Sequence, residues 1–354
     1  MMSKINLYDL TYTQLVDQLA AWGYSVYHSD KLWHALYHQN VSDWGEADLR
    51  ADLVAKLQTE TVVSQPEIAY ETVSQDGTRK YLLRLADGHM IETVLMAFKG
   101  RYTACISTQV GCALGCVFCA TGQMGFTRHL TPGEIVLQLR HNNEVLAAHG
   151  EKIRNIVLMG MGEPLHNYDN TMAAIEILCD HKGLSLAPRH ITLSTVGMVP
   201  GIRRLADEKR RVRLAVSLHG ATDAERTPLV PVGQRWPLAE LMAACRYYSQ
   251  KMRRKIFFEW TLIAGKNDTA EQAHALGQLL ADMSAHVNLI PLNPTSNYGG
   301  VPSQEGATER FRQILASYDV PNTIRQRRGI DVDAGCGQLR ERVINESITI
   351  QSPT

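Results

Sequence analysis

Three of the chain's seven cysteines lie within GCALGCVFCATGQMGF, residues 111–126, as Cys112, Cys116 and Cys119. The spacing is C-x3-C-x2-C, and clustered thiolates select soft metal centres. Structural zinc takes four tetrahedral ligands, commonly as two CxxC-type pairs; here there is one triplet and no second pair. A four-iron cluster also needs four ligands. If the protein gives three, one iron stays open to a substrate or cofactor, and the cluster fits the triplet better than zinc does. Cys179 and Cys245 fall among apolar residues in helical stretches and read as small buried hydrophobes. Two cysteines remain. Cys105 stands seven positions before Cys112, and Cys336 sits between Gly335 and Gly337 in RRGIDVDAGCGQL, residues 327–339. Flanking glycines leave the Cys336 thiol sterically accessible; the structural alternative is a cysteine buried in a tight turn.

The elements that must hold these residues follow from the rest of the sequence. The 354 residues are 45% hydrophobic and 20% charged, enough for a sizeable core. Lys plus Arg equals Asp plus Glu at 36 each, so a nucleic-acid partner would need a local basic patch. No apolar run reaches membrane-spanning length, and the first residues lack a signal-peptide core. A reducing cytoplasm is expected, where clustered cysteines bind metal or react rather than form structural disulfides.

Residues 7–57 carry apolar positions at three- and four-residue spacing and predict a helical domain of two to four helices, with Ser29-Asp30 capping the second. Residues 67–97 alternate and contain two turn signals, Asp76-Gly77 and Asp87-Gly88, which predict a short antiparallel sheet. From about residue 104 short apolar runs alternate with helical stretches at 131–148, 168–182, 237–252, 269–283 and 307–318. Repeated βα units imply a parallel sheet with helices outside it. The expected fold is α/β: a partial (β/α)6 barrel, with an N-terminal helical domain (1–60), a small antiparallel segment (61–97), a core (98–340) and a tail (341–354). In such folds working residues collect at the carboxyl ends of strands. Those ends read MGMGEP, LSTVG, SLHG and PLNP. Four strands ending in hydrogen-bonding groups point to one shared pocket.

The triplet at the first strand of a βα barrel, with Phe118 before its last cysteine, resembles the signature of the radical S-adenosylmethionine (SAM) superfamily. That resemblance implies a [4Fe-4S] cluster on Cys112, Cys116 and Cys119, its fourth iron chelated by the amino and carboxylate groups of SAM. Gly162, Glu163 and Pro164 look like the superfamily's GGEP segment, with Glu163 facing the methionine ammonium. Ser194, Ser217, Leu218, His219 and Asn293 occupy positions where relatives contact the same cofactor. For His219 the plain alternative is a satisfied strand-end histidine.

Nearly the whole chain resembles one family more closely. ETVLM, ACISTQVGC, CATGQMGFTRHL, VLMGMGEPLHNYDN, NLIPLNP and the Cys336 segment are similar to the RlmN/Cfr family of radical SAM RNA adenine methyltransferases; the tail has Gly335 where the family usually has Ala. The resemblance implies two SAM molecules per turnover. Cys336 takes a methyl group from the first and becomes S-methylcysteine. The second is cleaved to a 5′-deoxyadenosyl radical, which removes hydrogen from that methyl group. The methylene radical adds to an electron-poor adenine ring carbon that no polar methyl transfer could reach. Glu92 corresponds to the family's proton acceptor, although from composition alone it is a solvated strand carboxylate. Cys105 corresponds to the resolving thiol that forms a transient disulfide with Cys336. Pro164 and QMGFTRHL resemble the branch that methylates C2 rather than C8. The implied targets are position 2503 of 23S rRNA and position 37 of tRNAs, with an external electron donor such as flavodoxin or ferredoxin and a monomeric protein.

Candidate phosphate contacts are Arg203, Arg204, the runs KRRVR (209–213) and KMRRK (251–255), and Arg325, Arg327 and Arg328; any such run is otherwise a solvated face. Trp22, Trp33 and Trp44 either grip RNA or form the core of the small domain. Two other readings compete: a different radical enzyme, which would not need Cys105 and Cys336, and a zinc-bearing RNA-binding module.

Overall fold

Parallel and antiparallel strands join in one ten-stranded sheet, seen in a computed structural model that describes residues 4–39, 41, 43–293, 295, 297–326 and 328–332. Cys336 and Arg327 lie outside the described residues. Three antiparallel strands lead: β1 (Glu67–Val73), β2 (Arg79–Arg84) and β3 (Met90–Phe98). The turns between them are the predicted Asp-Gly pairs, with Gly77 at φ 80° and Gly88 at φ 85°. Then come β4 (Arg101–Cys105), β5 (Ile153–Leu158), β6 (Ile191–Thr195), β7 (Arg213–Ser217), β8 (Ile256–Leu262), β9 (Ala285–Pro291) and β10 (Asn322–Ile324). β4 pairs antiparallel with β3 and parallel with β5, and every later pairing is parallel. The antiparallel strands thus continue directly into the parallel sheet. Strand order follows sequence order throughout, so the sheet stays open. Six βα units followed by a seventh parallel strand match the expected partial barrel.

The crossover helices that the sequence predicts are α4 (Pro132–Ala147), α5 (Tyr168–Cys179), α7 (Leu238–Met252), α8 (Ala270–Leu280) and α9 (Glu305–Ser317). Between β6 and β7 stands α6 (Val199–Asp207), which the sequence reading did not single out. It buries Val199, Ile202, Leu205 and Ala206. At nine residues, with Pro200 in its first turn, it offers too little periodicity to stand out.

The register gives the parallel sheet two unlike faces. Ala104, Ile156, Leu193, Leu214, Val216, Phe258, Trp260, Val287 and Leu289 alternate onto one face and are fully buried or nearly so. Trp260 meets Phe311 of α9 there, at 5.6 Å between ring centroids. The opposite face carries Cys105, Thr192, Ser194, Ser217, Glu259, Asn288 and Thr323. Residues that alternate with a period of two must separate this way. Every strand residue expected to touch the cofactor falls on the polar face.

The N-terminal helices are α1 (Tyr12–Ala21), α2 (Val26–Tyr37) and α3 (Ala51–Glu60). Ser29-Asp30 does not cap α2, which starts four residues earlier after Ser25. Ser29 is buried inside the helix, and Asp30 accepts from the Tyr12 hydroxyl (2.5 Å) and Lys182 (2.6 Å). A better acceptor role elsewhere overrides the capping signal. Trp33 is fully buried and Trp44 nearly so, while Trp22 packs against the same core with Lys56 over its ring. The small-domain core reading holds for Trp33 and Trp44.

Candidate active site

β4 ends at Cys105, earlier than the apolar run ACISTQV suggested, because Thr108 and Gln109 turn to bond Met161 of the β5 loop. The chain resumes as a short strand, Gln109–Gly111, paired antiparallel with Phe126–His129. The cysteine loop hangs from this pair. Gly111 has φ 75°, and a Cβ there would overlap the Gly125 carbonyl. The Cys112 amide donates to that carbonyl at 2.7 Å, and the Cys119 amide donates to the Cys116 carbonyl at 3.1 Å. Gln123 ties the loop off by donating to the Val117 carbonyl at 2.6 Å.

Cys116 is buried, and Cys112 and Cys119 are half-buried. Burial pushes the Cys112 thiol up to about 12 and raises those of Cys116 and Cys119 as well; for Cys116 the neighbouring thiols Cys119 and Cys112 add to it. The three thiols therefore lie within electrostatic reach of one another in a medium that penalises free thiolates. A cation centre is what makes such a thiol set favourable. Cys116 and Cys119 sit in an apolar shell with Leu229, Val230, Ile263 and Leu292, and the three thiols together fit a cluster whose irons each take one of them. Arg226, almost fully buried, donates to the Val196 carbonyl at 2.5 Å and lowers the Cys116 thiol. The sequence reading passed over it because nothing in DAERTPL marks that arginine as buried.

Glu163 follows β5 and is 2% exposed. Its Oε1 accepts the Leu165 amide at 3.0 Å and its Oε2 the Val196 amide at 2.8 Å, so the carboxylate links the ends of β5 and β6. Burial raises it to about 7. Gly162, at φ 101°, lies against Gln109; a Cβ would come within 2.5 Å of the Gln109 Cβ. Gln109 is fully buried. Its Oε1 accepts the Glu163 amide at 2.7 Å, and its amide nitrogen reaches the Nδ1 atoms of His129 (3.0 Å) and His166 (3.1 Å).

Ser194 and Ser217 stand half-buried on the polar face, and Leu218 is fully buried with its amide donating to the Glu259 carbonyl at 3.0 Å. His219 has φ 59° and is 3% exposed. Its Nδ1 accepts the Thr261 amide at 2.9 Å, which leaves the ring proton on Nε2. Burial, and then the Arg226 charge, hold its pKa down to about 3, so the ring stays neutral. One ring nitrogen is thus structural, and only Nε2–H remains to serve a ligand. Asn293 is exposed just past β9.

Glu92 and Cys105 complete the polar face. Val94 stands opposite Cys105, and Glu92 lies two residues further along the same face, toward the carboxyl ends of the parallel strands. Glu92 is buried, not solvated as its composition suggested. Cys105 is half-buried; burial first, and then the Glu92 charge, push its thiol up to about 12 against a backbone bond from Met159 and the charges of Arg325 and Lys80. Glu92 also raises Cys119. One carboxylate therefore lies within electrostatic reach of both Cys105 and the cysteine loop.

The sequence reading also missed Glu259. It accepts Asn288 at 2.9 Å and Arg325 at 3.2 Å, and its Oε2 has no partner among the described residues. The signal was present: a carboxylate interrupting the apolar run IFFEWTL.

The basic runs divide by topology. Residues 209–213 and 251–255 precede β7 and β8, at the amino ends of strands, opposite the site. Arg204 and Arg210 bond Glu208, Lys251 pairs with Asp207, and Arg254 caps the Arg211 carbonyl. Arg203 covers the Tyr247 ring. Arg325 follows β10 directly and bonds Glu259 on the polar face, whereas Arg328 lies against Phe98 and Asp76, beside the start of β4.

Residues 106–276 match the radical SAM superfamily. The crystal structure of a radical SAM methyltransferase from Sphaerobacter thermophilus superposes with a TM-score of 0.90 at 44% identity, over 94% of this chain and 98% of that one. Fold and cysteine loop together define a radical SAM enzyme. At finer grain, the dual-specificity RNA methyltransferase RlmN 1 of Myxococcus xanthus is 63% identical over 98% of this chain and 97% of its own length. The chain belongs to the RlmN family of radical SAM RNA methyltransferases.

Proposed function

We propose that this protein methylates C2 of adenine at position 2503 of 23S rRNA and position 37 of tRNAs, in the cytoplasm, with electrons from a flavodoxin- or ferredoxin-type donor. One observation carries the reading: Cys105, Glu92 and the cysteine loop gather at one end and on one face of the sheet. A radical enzyme of another kind would need the loop but neither of the other two.

Cys112, Cys116 and Cys119 would hold the cluster. Glu163, the Ser194 strand, Ser217 to His219 and Asn293 would hold SAM. When bound, these groups supply a one-electron cleavage that yields a primary carbon radical. The chain's own residues do the rest. Cys336 presents a sulfur-bound carbon to the adenine ring and holds the base covalently. Glu92, kept from water, accepts the ring proton. Cys105 then takes over the sulfur of Cys336 as a disulfide, freeing the RNA. A thiol held up to about 12 stays protonated and inert until its proton is drawn off. A buried site at strand ends requires a base splayed out of its stack.

The test compares two single variants of the anaerobically reconstituted protein. Cys336→Ala abolishes methylation and still binds SAM. Cys105→Ala accumulates protein cross-linked to RNA, visible as a shifted band. Normal turnover by Cys105→Ala would remove the resolving role, and mass spectrometry of the product nucleoside distinguishes C2 from C8.

A further inference from the structure

Glu259 is a buried carboxylate with one oxygen left over. It sits at the middle of β8, on the polar face, and is 4% exposed. Its Oε1 takes two donors, Asn288 Nδ2 at 2.9 Å and Arg325 at 3.2 Å, while its buried Oε2 has no hydrogen-bond partner among the described residues. Burial raises the carboxyl, and the Arg325 charge and then the Asn288 bond hold that rise back. With a guanidinium bonded to it, the group is an anion at neutral pH. An anionic oxygen held out of water without a donor is costly, and a donor brought by a ligand would relieve it.

Arg325 is the exposed member of the pair, with 42% of its side chain open, and it follows β10 directly. It also lies within electrostatic reach of Cys105 and lowers that thiol. The pair therefore opens outward through Arg325 and stands in range of the thiol proposed to release the product. What it would recognise follows from its pattern. An acceptor beside a donor matches adenine, whose N6 amino group donates and whose N1 accepts; guanine, with O6 and N1–H, offers the reverse. A base taken out of its stack is read along this edge. C2 follows N1 on the same edge, so a base held by N6 and N1 presents C2 next to the group that holds N1.

We propose that Glu259 and Arg325 read the target base: Glu259 Oε2 accepts from the adenine N6 amino group and Arg325 donates to N1, which makes both specificity-determining residues. This rests on the reading of the substrate as an adenine in RNA. It moves Arg325 from the candidate phosphate contacts to a base contact, and it favours C2 over C8 because C8 lies off that edge.

The test replaces the target adenosine of a tRNA by purine riboside, which lacks only the N6 amino group, and measures kcat/KM for methylation by the reconstituted protein. Wild type should prefer adenosine about ten- to hundredfold. In Glu259→Gln, Asn288 and Arg325 keep the side-chain oxygen, so the new amide NH2 takes the place of Oε2 and meets the N6 amino group donor to donor. The preference should then close to within about threefold, with iron content and SAM affinity at wild-type levels. A wild type without the preference, or a Glu259→Gln protein that keeps it, overturns the proposal, because a carboxylate that only braces β8 against β9 moves both substrates alike. Loss of SAM affinity with the preference intact also overturns it, since the ribose hydroxyls of SAM are then the donors that Oε2 serves. If Glu259→Gln loses iron and melts early, half-exposed Arg325 decides: Arg325→Met should erase a preference for adenosine over 1-deazaadenosine, whereas loss of a phosphate contact would weaken both alike. A wild-type protein that leaves adenine unmethylated in both tRNA and 23S rRNA overturns the underlying reading instead.

Discussion

Glu163 links two strand ends through a buried carboxylate, and the same carboxylate is the one proposed to meet the SAM ammonium. Its folded pKa, raised by burial to about 7 from an ordinary 4.5, gives a signed expectation. Between those values the folded apoprotein holds a proton that the unfolded chain has released, so the apoprotein loses stability as pH rises through that window. Ligand binding runs the other way, because an ammonium needs the charged form. SAM affinity of the reconstituted protein should fall as pH drops below about 7, approaching tenfold per pH unit. Glu163→Gln should bind weakly at every pH and show no such slope in equilibrium dialysis. The wild-type sequence GEP made Glu163 legible, as the triplet spacing made the cysteines legible. Gln109 and Arg226 were not legible. Both act through burial beneath the site, and burial of a lone polar side chain depends on which loops fold over it, not on its neighbours in sequence.

At the level of elements, the turns and the long periodic helices were readable because each carries its own local signal. Asp-Gly pairs demand positive φ, and α4 opens with Thr131 and Glu134 in a complete capping box. The short helix α6 and the false cap at Ser29 were not readable. In both, tertiary packing outweighed a weak local preference. Gly162 lies between these cases. Its need for glycine comes from φ 101° and from the side chain of Gln109 across the loop, and only the first of these is local. Gly162→Ala should push the β5 loop off Gln109 and loosen the Glu163 amide from it. A loss of about 1–3 kcal/mol in urea unfolding is expected, with a larger proportional loss of SAM binding than of iron content. Equal losses of both would mean that the loop collapses as a whole and that Gly162 has no particular tie to Glu163.

On the scale of the whole molecule, the sequence placed the working residues at strand ends, but it could not tell which basic runs share that end. Crossover topology decides this: loops that lead into parallel strands lie opposite those that leave them, so residues 209–213 and 251–255 face away from the site. Topology decides the tryptophans too. Trp33 donates from Nε1 to Asp180 at 3.1 Å, just past α5, and packs edge-on to Tyr12 at 5.5 Å. Lys182 bonds Asp30 and Tyr12, and Asp9 accepts the Gly133 amide at the start of α4 at 2.8 Å. The N-terminal helices are thus bolted to α4 and α5 through their aromatic side, which leaves Trp33 no surface to offer RNA. Trp33→Ala should cost about 3–5 kcal/mol by emptying a large buried volume. Trp33→Phe keeps most of that volume, strips Asp180 of a donor and should cost about 1–3 kcal/mol. Denaturant midpoints measure both. The phenylalanine variant separates core from grip: methylation per folded molecule, and the Kd for a tRNA anticodon stem-loop, should match wild type within about twofold, since a base-stacking residue is worth about 1–3 kcal/mol per base. A clear loss of RNA affinity with unchanged stability would return Trp33 to the RNA interface.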